Sequence, residues 1–141
     1  MSQIKIVNLQ KSFGDFTAVR KSNLVIKDKE FFVLLGPSGA GKTTTLRCIA
    51  GLEKIDSGNV LFDNESVTED QPASRDVSFV FQQFSLYPHY TVYENLAFPL
   101  RSPMRRLSED EIKTKIDYIA DMLKISNKLE NKATQLSGGE M

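Results

Sequence analysis

The sequence has a single cysteine, no net charge and no apolar run longer than five residues, and each shortage removes a class of protein. One thiol, Cys48, cannot build a disulfide framework; it fits a reducing compartment and reads as a small helix-packing residue. Lys and Arg total 18, as do Asp and Glu, and no basic block stands out, so electrostatics does not point to nucleic acid. The longest apolar run, Phe31 to Leu35, falls far short of the ~20 residues that a spanning helix needs. The opening Met1-Ser2-Gln3-Ile4-Lys5-Ile6 holds no long apolar core of the kind a signal peptide carries. The expectation is a chain that is soluble or reaches a membrane through a partner. There is no internal repeat and no low-complexity tract, and 141 residues suffice for one ordinary domain with a real core.

What the chain does have is Gly36-Pro37-Ser38-Gly39-Ala40-Gly41-Lys42-Thr43-Thr44, set directly behind Phe31-Phe32-Val33-Leu34-Leu35. This fits G-x-x-x-x-G-K-[ST] in the one context that gives the pattern meaning: strand, glycine-rich turn, helix. A triphosphate is dense negative charge and needs many donors at close range. Gly39 and Gly41, lacking side chains, let backbone N–H groups curl around a phosphate at unusual φ values. A helix predicted over Thr43–Leu52, with Leu46, Ile49 and Ala50 on one face, aims the positive end of its dipole at the phosphates. Lys42 would reach the β- and γ-phosphates, the Thr43 hydroxyl would ligate Mg²⁺, and Gly51 would supply a left-handed helix stop.

Around this motif the pattern predicts short strands at 4–9, 17–19 and 23–26 and an apolar strand at 31–35 covered on both faces. Further strands are predicted near Val60-Leu61-Phe62 and at Val77–Phe81, the latter running into Gln82-Gln83. Pro88, Pro99 and Pro103 break up residues 85–105, leaving a short helix from Val92 to Phe98. Ser108 and Glu111 form a capping box, behind which Ile112, Ile116, Ile119, Ala120 and Leu123 recur at helical spacing as packing residues. The chain thus divides into a β and P-loop half and a helical half.

Three further segments resemble ABC transporter ATPases. Val80-Phe81-Gln82, with Leu86-Tyr87-Pro88-His89-Tyr90-Thr91-Val92-Tyr93-Glu94-Asn95-Leu96 behind it, is similar to their Q-loop region, and closest to the maltose-importer class. Leu136-Ser137-Gly138-Gly139-Glu140 resembles the signature LSGGQ, with Glu140 in place of Gln. Phe13-Gly14 matches the aromatic position that stacks on adenine. With the P-loop, these stand in the family's order and cover the whole chain.

The resemblance implies an α/β P-loop NTPase fold of the ABC type, with an antiparallel β subdomain and an α-helical subdomain, incomplete at the C-terminus. Residues 1–84 would be the β subdomain plus P-loop core, and 85–141 the helical subdomain up to the signature. It implies ATP and Mg²⁺ as cofactors, with Lys42 and Gln82 in catalytic roles. Gln82 would ligate Mg²⁺ or position the attacking water, and Phe13 would stack on adenine or else pack its strand. Ser137, Gly138, Gly139 and Glu140 would close on the nucleotide held by a second, head-to-tail copy, so that ATP glues the dimer and hydrolysis releases it. The Glu140 carboxylate would then be mildly unfavourable unless it points away. Implied partners are that second copy and transmembrane permease subunits docking near Gln82–Leu96, with no nucleic acid. The implied place is cytoplasmic, on the inner face of the cell membrane, and the implied role is solute uptake, with sugar the first candidate and the partner subunits choosing the cargo. His89 would belong to the loop facing the permease rather than to catalysis, and Phe84, Tyr87, Tyr90 and Tyr93 would be shared between core and docking surface.

The family's Walker B strand, D-loop and switch histidine have no counterpart in residues 1–141, so the expectation is nucleotide binding without useful turnover by these residues alone. A nucleotide-binding module is the alternative function; a small-molecule kinase or a DNA-directed ATPase fits the motifs less well. Asp63, behind Val60-Leu61-Phe62, is a decoy for the missing metal-binding Asp, and Lys29 stands where the family usually has glycine. An apolar 31–35 strand with an unpaired edge is also expected.

Overall fold

The structure is a computed structural model that describes residues 2–82, 85–102 and 105–141. Gln83, Phe84 and Pro103, which figure in the expectations above, lie outside the described residues. Two units emerge, Met1–Val80 and Phe81–Met141.

The first unit is built on four antiparallel strands in the order β2-β1-β3-β4. They are β1 (Ile4–Phe13), β2 (Phe16–Ile26), β3 (Ser57–Phe62) and β4 (Glu65–Ser66), with helix α1 (Lys42–Ile49) between β2 and β3 in sequence. The two strands predicted at 17–19 and 23–26 are one. In a regular strand Ile6 and Leu9 would face opposite sides, three residues apart. Here the β1 register slips between Val7 and Gln10 against β3, and Asn8 takes φ +49. This bulge turns both Ile6 and Leu9 into the core, where they meet Val19, Val60 and, from α1, Cys48 and Ile49. Gly58 sits opposite; a Cβ there would collide with the Asn8 carbonyl.

α1 ends at Ile49, three residues short of the predicted Leu52, and Gly51 supplies the left-handed stop expected of it. Gly51 has φ +75, its N–H bonds the Cys48 carbonyl at 3.2 Å, and the Leu52 N–H bonds the Arg47 carbonyl at 2.9 Å, a Schellman ending. The buried face of α1 is Thr45, Cys48 and Ile49; Leu46, expected inside, is exposed. Cys48 is the packing residue it was read as, and burial pushes its thiol up to about 11.

Two predicted strands are absent. Residues 31–35 and 77–81 form no ladder, and Phe31, Leu35 and Val80 are about nine-tenths exposed, at 93%, 88% and 91%. Apolar composition makes a segment fit for a buried strand, but a strand exists only through a neighbour's N–H and C=O groups. Among the described residues neither segment is part of a ladder. The expected apolar strand with one open edge is therefore an extended segment with no ladder on either side. Lys29, in the turn before it, has φ +60, a left-handed conformation that costs a non-glycine residue about 1 kcal/mol. That is the physical reason glycine suits this position.

The second unit holds α2 (Val92–Ala97) and α3 (Glu109–Met122). α3 begins with the predicted box: the Ser108 hydroxyl accepts from the Glu111 N–H, and Glu111 accepts from the Ser108 N–H at 2.8 Å. Ile112, Ile116 and Ala120 are buried as expected, whereas Ile119 and Leu123 are exposed. Ala97 of α2 packs on Ile112 and Ile116, with Tyr93, Leu96, Leu100, Leu107 and Leu129 around them. α2 carries an unforeseen second capping box, Thr91 with Glu94. Thr91 also pairs with Lys132 in an isolated antiparallel bridge, supported by Val92 N–H to Asn131 O at 2.9 Å and Ala133 N–H to Tyr90 O at 3.3 Å. Among the described residues no helix is long and apolar enough to cross a membrane.

Candidate functional site

The glycine-rich turn takes the conformation its sequence demands. Gly39 and Gly41 lie at φ +80 and +81, and Gly41 is the N-cap of α1. A Cβ on Gly41 would run into the Ala18 carbonyl of β2, so this glycine answers to a close backbone approach as well as to φ. Thr45 fastens the other side, its N–H and hydroxyl both bonding the Gly41 carbonyl, at 2.8 and 2.9 Å. The N–H groups opening α1, those of Lys42, Thr43 and Thr44, have no acceptor one turn back within the helix, as at any helix start. The Lys42 ammonium folds over the loop, donating to the carbonyls of Gly36 at 2.8 Å and Pro37 at 2.7 Å. Thr43 is exposed, so its hydroxyl is open to a cation. Amides, ammonium and hydroxyl form a donor set matched to a polyphosphate with its metal. A recess of about 490 Å³ opens beside Lys42 and Thr43, walled by Phe32, Val33, Leu34 and Leu46.

Phe13 ends β1 and pairs with Phe16 across the hairpin; it is 47% exposed, so strand packing leaves about half of it open. Phe16 is two residues along β2 from Ala18, against which Gly41 rests, so the aromatic hairpin end and the phosphate loop are carried by the same strand. Asp63 has a structural part. Left-handed at φ +48 in the β3–β4 turn, it accepts from the Gln3 N–H at 2.8 Å, which holds its carboxyl below the usual range. Among the described residues no cluster of His, Cys, Asp and Glu could hold a metal ion.

Arg75 went unnoticed in the sequence. It is buried to 6% exposure, and its guanidinium donates to four carbonyls: Cys48 and Ile49 at the end of α1, Thr68 and Asp70 in the polar loop. A Cβ on Gly51 would lie 2.6 Å from its Nε. Burial lowers its pKa, opposed by nearby Asp70.

In the second unit, Gln82 lies on an exposed bend. His89 stands in the exposed 88–90 turn, and the Tyr87, Tyr90 and Phe98 rings cluster at 4.9–6.3 Å between centroids. Asn95 laces this loop, accepting from the Tyr87 N–H at 2.8 Å and donating to the Thr91 carbonyl at 2.9 Å. Residues 138–140 close a single turn, with Met141 N–H to Ser137 O at 3.1 Å. Glu140 folds back, accepting from the Ser137 N–H at 2.9 Å and hydroxyl at 2.8 Å, and pairs with Lys128 at 3.1 Å. Ser137 and Glu140 thus make one half of a capping box: the carboxylate accepts from the Ser137 N–H, while the Glu140 N–H bonds the Ser137 main-chain carbonyl at 3.0 Å. The Glu140 carboxylate is engaged within its own turn, and its expected penalty is reduced accordingly.

Those hydrogen bonds from Ser137, then Lys128, hold the Glu140 carboxyl down to about 2, from an ordinary 4.5. A depressed carboxylate stabilises its fold above the unfolded pKa and loses that contribution as pH falls through the folded one. The turn should thus be fully supported above about pH 4.5 and released toward pH 2. A carbon-detected titration of Glu140 giving a midpoint near 4.5 would show that these hydrogen bonds are not populated.

Comparison with known proteins places this geometry. The profile of the ABC transporter family matches residues 19–141. The trehalose/maltose import ATP-binding protein of Thermococcus litoralis is 43% identical over 99% of this chain and 39% of its own length. For the trehalose import ATP-binding protein of Mycobacterium tuberculosis the figures are 47%, 99% and 35%, and for the spermidine/putrescine import ATP-binding protein of Thermotoga maritima 43%, 98% and 37%. The chain thus spans less than two-fifths of the length of these curated relatives. Among solved structures, a dimeric bacterial ABC transporter cassette superposes with TM-score 0.85 at 33% identity, over 97% of this chain and 64% of that one. A nucleotide-free ATP-binding cassette gives 0.83 at 30% identity, over 100% and 61%. The P-loop, the antiparallel sheet and the helical segment together belong to one fold, and the chain is a member of the ABC transporter family, from its ATP-binding cassette.

Proposed function

We propose that these residues bind Mg-ATP as part of the energy-coupling subunit of a solute importer. The observation that carries the reading is the loop from Gly36 to Thr44: two left-handed glycines, the helix start behind them, and an ammonium drawn over the Gly36 and Pro37 carbonyls. In this reading the Gly39–Thr44 amides and Lys42 hold the phosphates, Thr43 and Gln82 the Mg²⁺, and Phe13 the adenine. Bound Mg²⁺ would supply charge neutralisation at the β- and γ-oxygens. Ser137, Gly138, Gly139 and the turn behind them face the nucleotide of a second copy, and permease subunits dock near Gln82–Leu96 on the inner face of the membrane. The dimeric cassette at TM-score 0.85 supports the pairing, and the relatives' import names support the transport role. Trehalose and maltose names favour a sugar as the solute, and the spermidine/putrescine relative makes a polyamine the second candidate.

Calorimetry of the 141-residue chain with Mg-ATP tests the nucleotide reading; heat of binding at a single site is expected, and its absence overturns it. A steady-state assay on the same material separates two roles. Binding without turnover selects a nucleotide-binding module, whereas turnover lost in Lys42→Ala places hydrolysis within these residues.

A further inference from the structure

Lys11 is a cation with an unusual set of neighbours. Its side chain is only 12% exposed, and its ammonium contacts Glu53 at 3.0 Å, Asp56 at 3.8 Å and the Lys54 carbonyl at 2.8 Å. The same ammonium lies 4.9 Å from the centroid of the Phe13 ring. Its carboxylate partners all sit in the segment that leaves α1, which is joined to β1 independently by Ser12 N–H to Asp56 Oδ2 at 2.7 Å and Asp56 N–H to Gln10 O at 2.9 Å. The Glu53 hydrogen bond raises the pKa of Lys11, so it stays charged at any physiological pH.

We propose that Lys11 is a positioning residue for the nucleotide base. An exposed ring at a hairpin end turns freely, and stacking on it requires that freedom to be given up. Lys11 covers one face of Phe13 and is fixed by three anchors, which leaves the opposite face as the ring's stacking surface. The anchors belong to the segment that follows the phosphate-binding helix, so base platform and phosphate loop are held in one frame. The proposal rests on the reading that Phe13 stacks on adenine. It assigns Lys11 no part in holding the phosphates.

The test compares Mg-ATP with Mg-tripolyphosphate, which lacks base and sugar, by calorimetry on the 141-residue chain and three variants. Phe13→Ala should lower the ratio of ATP to tripolyphosphate affinity by about five- to a hundredfold. Lys11→Met should lower the same ratio by about two- to fivefold, leaving tripolyphosphate binding unchanged, and Lys11→Arg should restore it, since a guanidinium also sits well on a ring face. A ratio unaffected by Lys11→Met, or equal losses for both ligands, overturns the proposal; equal losses would make Lys11 a structural fastener. Should Phe13→Ala leave the ratio unchanged, the stacking reading itself fails and takes the role of Lys11 with it.

Discussion

Arg75→Leu should loosen the end of the P-loop helix more than any other single change in the first unit, by about 3–5 kcal/mol. The guanidinium is the shared donor for the Cys48, Ile49, Thr68 and Asp70 carbonyls. Leucine fills part of the volume but supplies no donor. Each buried carbonyl left unpaired costs about 1–3 kcal/mol, partly recovered where water can enter. The helix also loses a cation at its negative end. Hydrogen exchange gives the direct measure: the Gly51 and Leu52 amides, which bond back into α1, should exchange at least about a hundredfold faster. If their protection survives within a few-fold, the guanidinium is not what holds this helix end.

Lys42→Ala should weaken Mg-ATP binding at least about thirtyfold. In the structure the ammonium already spends two hydrogen bonds on the Gly36 and Pro37 carbonyls. The loss on substitution is therefore the difference between charge-assisted bonds to phosphate and bonds to carbonyls, about 2–3 kcal/mol rather than the full value. Both carbonyls belong to exposed residues, so water replaces the lysine and stability should change by less than about 1 kcal/mol. Arginine should not rescue, because a planar fork does not reproduce a compact ammonium inside a tight loop. Undiminished calorimetric affinity in Lys42→Ala would remove the basis for a phosphate site at this turn.

What could be read from the sequence was whatever is settled within a few residues. The left-handed glycine at 51 and the Ser108–Glu111 box are local, and both stand as expected. The same box recurs at Thr91–Glu94, and half of it at Ser137–Glu140, where the Glu140 carboxylate accepts from the Ser137 N–H. Residues 31–35 and 77–81 show the limit from the other side. Their composition suits a buried strand, but pairing belongs to a neighbour, and the pattern of one segment cannot supply it. Arg75 and Lys11 were invisible for a related reason. Each acts across 26 or more positions to carbonyls or carboxylates beyond its own segment, to Cys48 and Ile49 in one case and Glu53 and Asp56 in the other. In the candidate site, the phosphate loop was legible while the props behind it were not.

The short bridge between Thr91 and Lys132 has a mechanical corollary. It welds the loop carrying Tyr87 and Tyr90 to the stretch of backbone that ends, a few residues later, at Ser137. The tyrosine loop and the backbone leading to Ser137 are thus joined across space by main-chain hydrogen bonds as well as along the chain. Were each end to hold a ligand, thermodynamic reciprocity would make any effect of the one at Ser137 on the tyrosine loop equal to the reverse effect.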